Sequence, residues 1–351
     1  MYIFTSEIQI RKRMHIELLY RKENNYIKCL LCPHYCKIAD GKTGICGVRK
    51  NTGQKIELIT YGVISGYSPD PVEKKPLYHF FPGHNILSIG SYGCNLKCSF
   101  CQNFNISQKV PETLKPEMSP ENLVTAARSA EKNIGIAFTY NEPIIWFEFM
   151  KDVATLAKNE GLFTAMVSNG YVNSDPLNEI ILFIDAFNID LKSFNNISYK
   201  KLTGVGIEPV KNGLKQIAKS GKHLEITSLI IPGQNDREEE MVLQSEWIAG
   251  ELGKDVPLHL SRYFPMYRRD DPATSQETLM RLFEIASERL DYVYMGNTQS
   301  DTGQNTNCPQ CGTTVTIRSG YNTRLLNLDN DGKCTGCGTL IYRHFTISSL
   351  T

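Results

Sequence analysis

Between about Ser88 and Met295 the chain alternates short apolar runs with segments of helix length, the pattern of βα units feeding a parallel sheet. Six strands are predicted: Ile86–Gly90, Ile134–Tyr140, Phe163–Ser168, Ala186–Lys192, His223–Ile231 and Val256–Phe264. Polar punctuation marks the helices between them. After Pro232-Gly233, Asn235 or Asp236 can cap a helix whose first turn holds Glu238, Glu239 and Glu240, carboxylates suited to the positive end of the helix dipole. Thr274 or Ser275, after Pro272, opens another. Six units are too few for an eight-stranded barrel, so the fold expected is α/β, a partial (β/α)6 barrel.

Parallel barrels carry their chemistry at the C-terminal strand ends. Those ends are unusually polar here: the Cys94 loop, Thr139 to Pro143, Ser168-Asn169-Gly170, Asp190-Leu191-Lys192, Thr227-Ser228 and His259-Leu260-Ser261. Within the fourth predicted strand, Asn188, Asp190 and Lys192 alternate with Phe187, Ile189 and Leu191, so the polar set shares one face. Three regions are expected: residues 1–85, Cys-rich with a four-Cys metal site; 86–300, the partial barrel; and 301–351, a small zinc-ribbon-like module.

Composition changes this picture in one respect. Charged residues at 21% and a net charge of +1 are ordinary for a globular enzyme and create no field favouring nucleic acid or an anionic membrane. The N-terminal twenty residues are basic without the apolar core of a signal peptide, and no run approaches the roughly 18–20 apolar residues that span a bilayer. A cytoplasmic protein is expected. Eleven cysteines then need a reason, because a reducing compartment disfavours disulfides. They fall in three tight groups, at 29–46, 94–101 and 308–337, which reads as metal binding.

The central group, SYGCNLKCSFCQN, places Cys94, Cys98 and Cys101 in a C-x3-C-x2-C loop after the first strand. A structural zinc ion wants four protein ligands, so zinc here would require a distant fourth. Three cysteines can instead hold a cubane iron–sulfur cluster and leave one iron open to a chelating ligand. The C-terminal group, NCPQCG with KCTGCG, supplies Cys308, Cys311, Cys334 and Cys337 as two C-x2-C knuckles. This complete tetrahedral set suits Zn2+, with a rubredoxin-like iron as competitor. Cys29, Cys32, Cys36 and Cys46 form a third set, for Zn2+ or an auxiliary Fe–S cluster, with His34 a bystander.

The central spacing, with Phe100 before its last cysteine, resembles the signature of the radical S-adenosylmethionine (SAM) superfamily. Over nearly the whole chain the organisation is similar to the radical SAM member of the AmmeMemoRadiSam system, a relative of the glycyl-radical-enzyme activases. The stretches that carry this are CLLCPHYC with GICGVR, EKKPLYHFFPG (Glu73–Gly83), IGSYGCNLKCSFCQN, FTYNEP, SNGY, NIDLKSF, IPGQND, YMGN and CPQCG. The resemblance implies a [4Fe–4S] cluster on Cys94, Cys98 and Cys101, and SAM bound on its open iron. One-electron cleavage would then give methionine and a 5′-deoxyadenosyl radical that abstracts hydrogen from a substrate. By position Asn141 and Glu142 would receive the SAM ammonium group, although TYNEP stands where the superfamily usually has Gly-Gly-Glu. Asp190 and Lys192 match the D-x-K that serves SAM in pyruvate formate-lyase activating enzymes. Ser168 and Asn169 could meet the ribose, and His259 could line the substrate end. Expected partners are a one-electron reductant of flavodoxin or ferredoxin type and a protein substrate or Memo-like and AMMECR-like proteins. A non-catalytic iron–sulfur and zinc electron carrier or scaffold is the reading from another class. A nucleic-acid modifier is disfavoured by the near-neutral charge.

Overall fold

The computed structural model describes residues 19–114 and 118–345. The basic stretch at the N-terminus lies outside them. Among the described residues the centre is an eight-stranded sheet with spatial order β13-β12-β11-β10-β9-β8-β7-β6. Its strands are β6 (Gly66–Pro71), β7 (Asn85–Gly90), β8 (Asn133–Phe138), β9 (Phe163–Ser168), β10 (Ala186–Asp190), β11 (His223–Ile230), β12 (Leu258–Arg262) and β13 (Val293–Gly296). Strands β7 to β13 run parallel, each beside its predecessor, while β6 joins β7 antiparallel. Among the described residues β13 and β6 end the sheet without pairing with each other, so it forms a partial barrel rather than a closed one. Inner strands such as β7 are buried along nearly their whole length, as a sheet covered on both faces requires.

Two of these strands are absent from the six predicted. β6 reads GYSPDP, with no apolar alternation and two prolines, which only an edge strand tolerates. β13 is four residues long, too short for periodicity to reveal. The boundary expected at 85/86 thus cuts through the main sheet, since β6 comes from the region assigned to the N-terminal extension. Helix caps differ at one of the two places named. Ser275 accepts from Thr278 N–H (3.0 Å) and opens the helix Gln276–Ser287 as expected. The helix Glu238–Glu251 begins after Arg237 without a side-chain cap. Asn235 instead closes the preceding turn, accepting from Ile231 N–H (2.7 Å) and donating to the Leu229 carbonyl (2.8 Å).

Two small units flank the sheet. At the N-terminal side, β1 (Tyr20–Glu23), β2 (Tyr26–Cys29) and β3 (Lys37–Ala39) form an antiparallel sheet, and β4 (Arg49–Asn51) pairs with β5 (Ile56–Leu58). At the C-terminal side, β14 (Thr306–Asn307), β15 (Thr314–Ser319) and β16 (Asn322–Leu325) form another. The C-terminal unit is fastened beneath the barrel by residues 73–83. Arg318, buried, donates to the Tyr78 carbonyl (2.9 Å) and lies over the Tyr78 ring at 4.2 Å. Glu73 accepts from Gly83 N–H (2.8 Å) and from Thr323 (2.7 Å). No helix among the described residues is long and apolar enough to cross a membrane.

Candidate functional site

The cysteine loop leaves the C-terminal end of β7 and is held on several sides. Asn141 accepts from Ser91 N–H (3.0 Å) and donates to the Gly93 carbonyl (3.0 Å). Farther along, Lys97 and Ser99 donate their amides to the Thr203 and Leu202 carbonyls, each at 3.1 Å. Asn95 donates to the Tyr171 carbonyl (2.8 Å) and accepts from Asn169 (2.9 Å). Gly93 has φ +86°, and a Cβ there would stand 2.5 Å from the Cys46 carbonyl oxygen, so only glycine fits where the N-terminal unit presses on the loop.

Cys94 and Cys98 are buried and Cys101 is half-buried. Cys94 Sγ receives the Leu96 amide at 3.4 Å and the Asn169 amide at 3.7 Å, and Cys101 Sγ lies 3.1 Å from Ser107 Oγ. Burial pushes the Cys94 thiol well above its ordinary pKa, and the nearby Glu142 adds to that. Burial also lifts Cys98 to about 11, against the opposing pull of Lys192. Such thiols do not ionise on their own near neutral pH. A bound metal centre deprotonates its thiol ligands outright, so three thiols gathered in one loop can serve a metal cluster despite their raised pKa values.

The polar strand ends converge on the same place. Glu142, buried, accepts from Ile144 N–H (3.0 Å), Ser168 Oγ (2.7 Å) and Asn169 N–H (2.8 Å), tying the end of β8 to that of β9. Burial raises its pKa to about 7, the three donors only partly opposing. Lys192 Nζ meets Asp190 at 2.9 Å and sits 5.6 Å from the centre of the Phe100 ring. Burial disfavours the ammonium, but Asp190 and Cys98 outweigh it and keep the pKa above the ordinary lysine value. Asp190 keeps about a third of its side chain exposed, an accessible carboxylate beside a cation. Phe100, Asn141, Glu142, Ser168, Asn169, Asp190 and Lys192 therefore share one end of the barrel with the three cysteines. In that group Asn141 and Glu142 also act as struts between the cysteine loop and the strand ends.

His259 does not join them, a correction to the expectation that it lines the substrate end. Its Nε2 lies 2.6 Å from Glu225, near the N-terminal end of β11 and so at the opposite mouth. Glu225 was not foreseen. Its two oxygens take His223 (2.8 Å), His259 and the amides of Tyr78 (3.0 Å) and His79 (2.7 Å). The isolated HLEIT run gave no hint of this, because the donors lie more than 140 residues away in Tyr78 and His79. Asn95 was also missed, and its position between two of the cysteines was the available signal.

The two flanking thiol groups differ in geometry. Cys308, Cys311, Cys334 and Cys337 bring their sulfurs within 4.8 Å of one another. The pairs Cys308–Cys337 and Cys311–Cys334 stand at 3.4 and 3.7 Å. Four Zn–S bonds of about 2.3 Å give a tetrahedral edge of about 3.8 Å, so this quartet fits a single ion. The sulfurs of Cys29, Cys32, Cys36 and Cys46 line a common cavity without that compactness.

The radical SAM superfamily signature matches residues 88–244, which include the cysteine loop and the strand ends around it. The chain belongs to the radical SAM superfamily, whose chemistry is reductive cleavage of SAM at a [4Fe–4S] cluster to a radical. A protein of Methanocaldococcus jannaschii without a characterised function is 38% identical over 333 residues, covering 93% of this chain and 99% of that one. The pyruvate formate-lyase-activating enzyme of Clostridium pasteurianum is 27% identical over 158 residues, 42% of this chain and 63% of that one. The pyruvate formate-lyase 1-activating enzyme of Escherichia coli K12 is 25% identical over 153 residues, 41% and 60% of the respective chains. The chain thus spans less than two-thirds of the length of either activase.

Proposed function

We propose that Cys94, Cys98 and Cys101 hold the [4Fe–4S] cluster, that SAM binds over it against Asp190 and Lys192, and that the enzyme abstracts a hydrogen atom from its substrate as an activase-like or Memo-associated modifying enzyme. The observation that carries this is the set of three inward thiols facing an accessible carboxylate–ammonium pair at one barrel mouth. When bound, the cluster supplies the electron that splits the SAM sulfonium into methionine and a 5′-deoxyadenosyl radical.

The chain's own residues bind, orient and exclude water. Asp190 can receive the SAM ammonium group, and Lys192 its carboxylate, a charge-assisted pairing on both sides. Ser168 and Asn169 end the neighbouring strand within reach of a ribose, and Phe100 covers the cation from one side. Glu142 and Asn141 hold the strand ends and the cysteine loop in register, beside the contact with the SAM ammonium group expected of them by position. Leu96 and Asn169 N–H groups on Cys94 temper the electron density on that sulfur, a lever on reduction potential. Zn2+ in the compact C-terminal quartet would brace the module that closes the opposite mouth.

The test is anaerobic turnover. Protein reconstituted with iron and sulfide, given reductant and SAM, is expected to release 5′-deoxyadenosine. A loaded cluster with no 5′-deoxyadenosine formed would refute the enzyme reading and favour an electron-carrier or scaffold role.

A further inference from the structure

The N-terminal thiols form a second centre whose shape differs from that of the C-terminal quartet. Cys29, Cys32, Cys36 and Cys46 line one cavity together with Arg49 and Asn95. Among the described residues only the C-terminal quartet brings its ligand atoms within 4.8 Å of one another. A single tetrahedral ion needs sulfurs about 3.8 Å apart. The N-terminal four do not meet that limit, a spread compatible with iron and inorganic sulfide between them.

A second observation comes from Arg49, which is almost wholly buried. Two of its nitrogens make a paired contact with Glu148, each at 2.8 Å. Its third nitrogen, Nε, is buried with its N–H unpartnered, in a side chain that lines the cavity. Such a donor is costly to leave unmade, and sulfide or thiolate sulfur in the cavity is what it can serve.

The cavity adjoins the central loop. Its wall includes Asn95, the neighbour of Cys94, and His34 Nε2 donates to the Asn95 carbonyl at 2.7 Å. Gly93 packs on the Cys46 carbonyl. On the outer side Tyr35 and Ile45 are exposed beside Cys36 and Cys46, and Lys37 is exposed next to them. One face of the site thus meets solvent while the other meets the loop of the radical-generating centre.

We propose that Cys29, Cys32, Cys36 and Cys46 hold an iron–sulfur cluster, not a single ion, and that it relays electrons from an external donor to the central cluster. This rests on the central assignment made above. The donor is a low-potential one-electron protein of flavodoxin or ferredoxin type. It loses one electron, the N-terminal cluster gains and passes on that electron, and the central cluster is reduced by one. No bond is made or broken and no proton moves.

The test uses the full chain, reconstituted anaerobically, as wild type, as the triple variant Cys94→Ala/Cys98→Ala/Cys101→Ala, and as the double variant Cys32→Ser/Cys36→Ser. Acid-labile sulfide and iron are counted, and electron paramagnetic resonance spectra are recorded after reduction with dithionite. The wild type is expected to hold about eight irons and eight sulfides, and each variant about four, if both centres are cubanes. Wild-type protein with only about four sulfides, and a triple variant with zinc and no sulfide, would overturn the proposal. The reduced wild-type spectrum is expected to be broadened by coupling between neighbouring spins; a spectrum equal to the sum of the two variants would overturn the relay. With flavodoxin as donor, the double variant's central cluster is expected to stay oxidised over the time in which the wild type is reduced, and equal rates would overturn the relay too. A double variant holding no iron at all, beside a triple variant that keeps about four sulfides, would strike the central assignment and the relay while leaving the N-terminal cluster established.

Discussion

Glu225→Gln is the most informative single change away from the proposed chemistry. The carboxylate is fully buried and takes four donors: His79 N–H and His223 on one oxygen, Tyr78 N–H and His259 on the other. An amide keeps one accepting oxygen. Whichever side becomes NH2, one backbone N–H and one imidazole then face another donor. Hydrogen bonds to charged groups contribute about 1.5–3 kcal/mol each, and breaking a buried ionic contact costs about 3–5 kcal/mol, so a loss of about 3–5 kcal/mol is expected. That is a large part of the roughly 5–15 kcal/mol by which folded proteins are stable. Equilibrium urea unfolding of the anaerobic protein measures it. A variant within about 1 kcal/mol of wild type would refute the reasoning, since surface-scale losses of that size mean the donors found other partners.

The pH dependence has a defined sign. Burial opposes ionisation of Glu225, but its histidine partners outweigh burial and hold its pKa below the usual carboxylate range. Burial depresses His79 to about 3. In both cases the unfolded chain binds the proton that the folded one refuses, so stability falls as pH falls. The His79 contribution starts to go below the ordinary histidine value, and the Glu225 contribution below the ordinary glutamate value. Glu225→Gln is expected to flatten the acid limb only in the lower range.

The remaining expectations are more local. Cys98→Ala should remove about four irons and abolish 5′-deoxyadenosine formation, leaving the C-terminal metal in place; loss of both metals together would show the sites are not separate. Lys192→Met should weaken SAM binding roughly 10–100-fold, as the loss of one charge-assisted contact implies, with cluster content unchanged; unchanged affinity in a binding titration would remove Lys192 from the SAM site. Cys311→Ser should cost one metal equivalent without changing acid-labile sulfide, and a fall in sulfide would mean the quartet holds a cluster. Arg318→Met should loosen the C-terminal unit, read as faster proteolysis after about residue 300, and equal cleavage would place the fastening elsewhere.

Much of the site was legible because its signals are local. C-x3-C-x2-C binds one centre within eight residues, and the strand ends Ser168-Asn169 and Asp190 to Lys192 follow apolar runs whose direction the βα pattern sets. His259 was misread for the same reason. Alternation assigns a face of a strand, not a depth along the barrel, and only Glu225 and the Tyr78–His79 segment reveal which mouth it belongs to. β6 escaped because an edge strand needs neither alternation nor freedom from proline, only an accepting neighbour.

The sequence by itself determined the thiol groupings, the parallel order of the inner strands and the class of chemistry, because each depends on spacing within a few residues or on a repeated period. The tertiary structure alone decided three things. It showed the C-terminal quartet to be compact and the N-terminal one not, where spacing in sequence left the N-terminal group open between Zn2+ and an Fe–S cluster. It set the N-terminal cavity against the Cys94 loop through Gly93 and Asn95. It turned residues 73–83 into the fastening between barrel and C-terminal unit. All three depend on contacts between segments far apart in the chain, and no local pattern encodes the distance between two sulfurs brought together by folding.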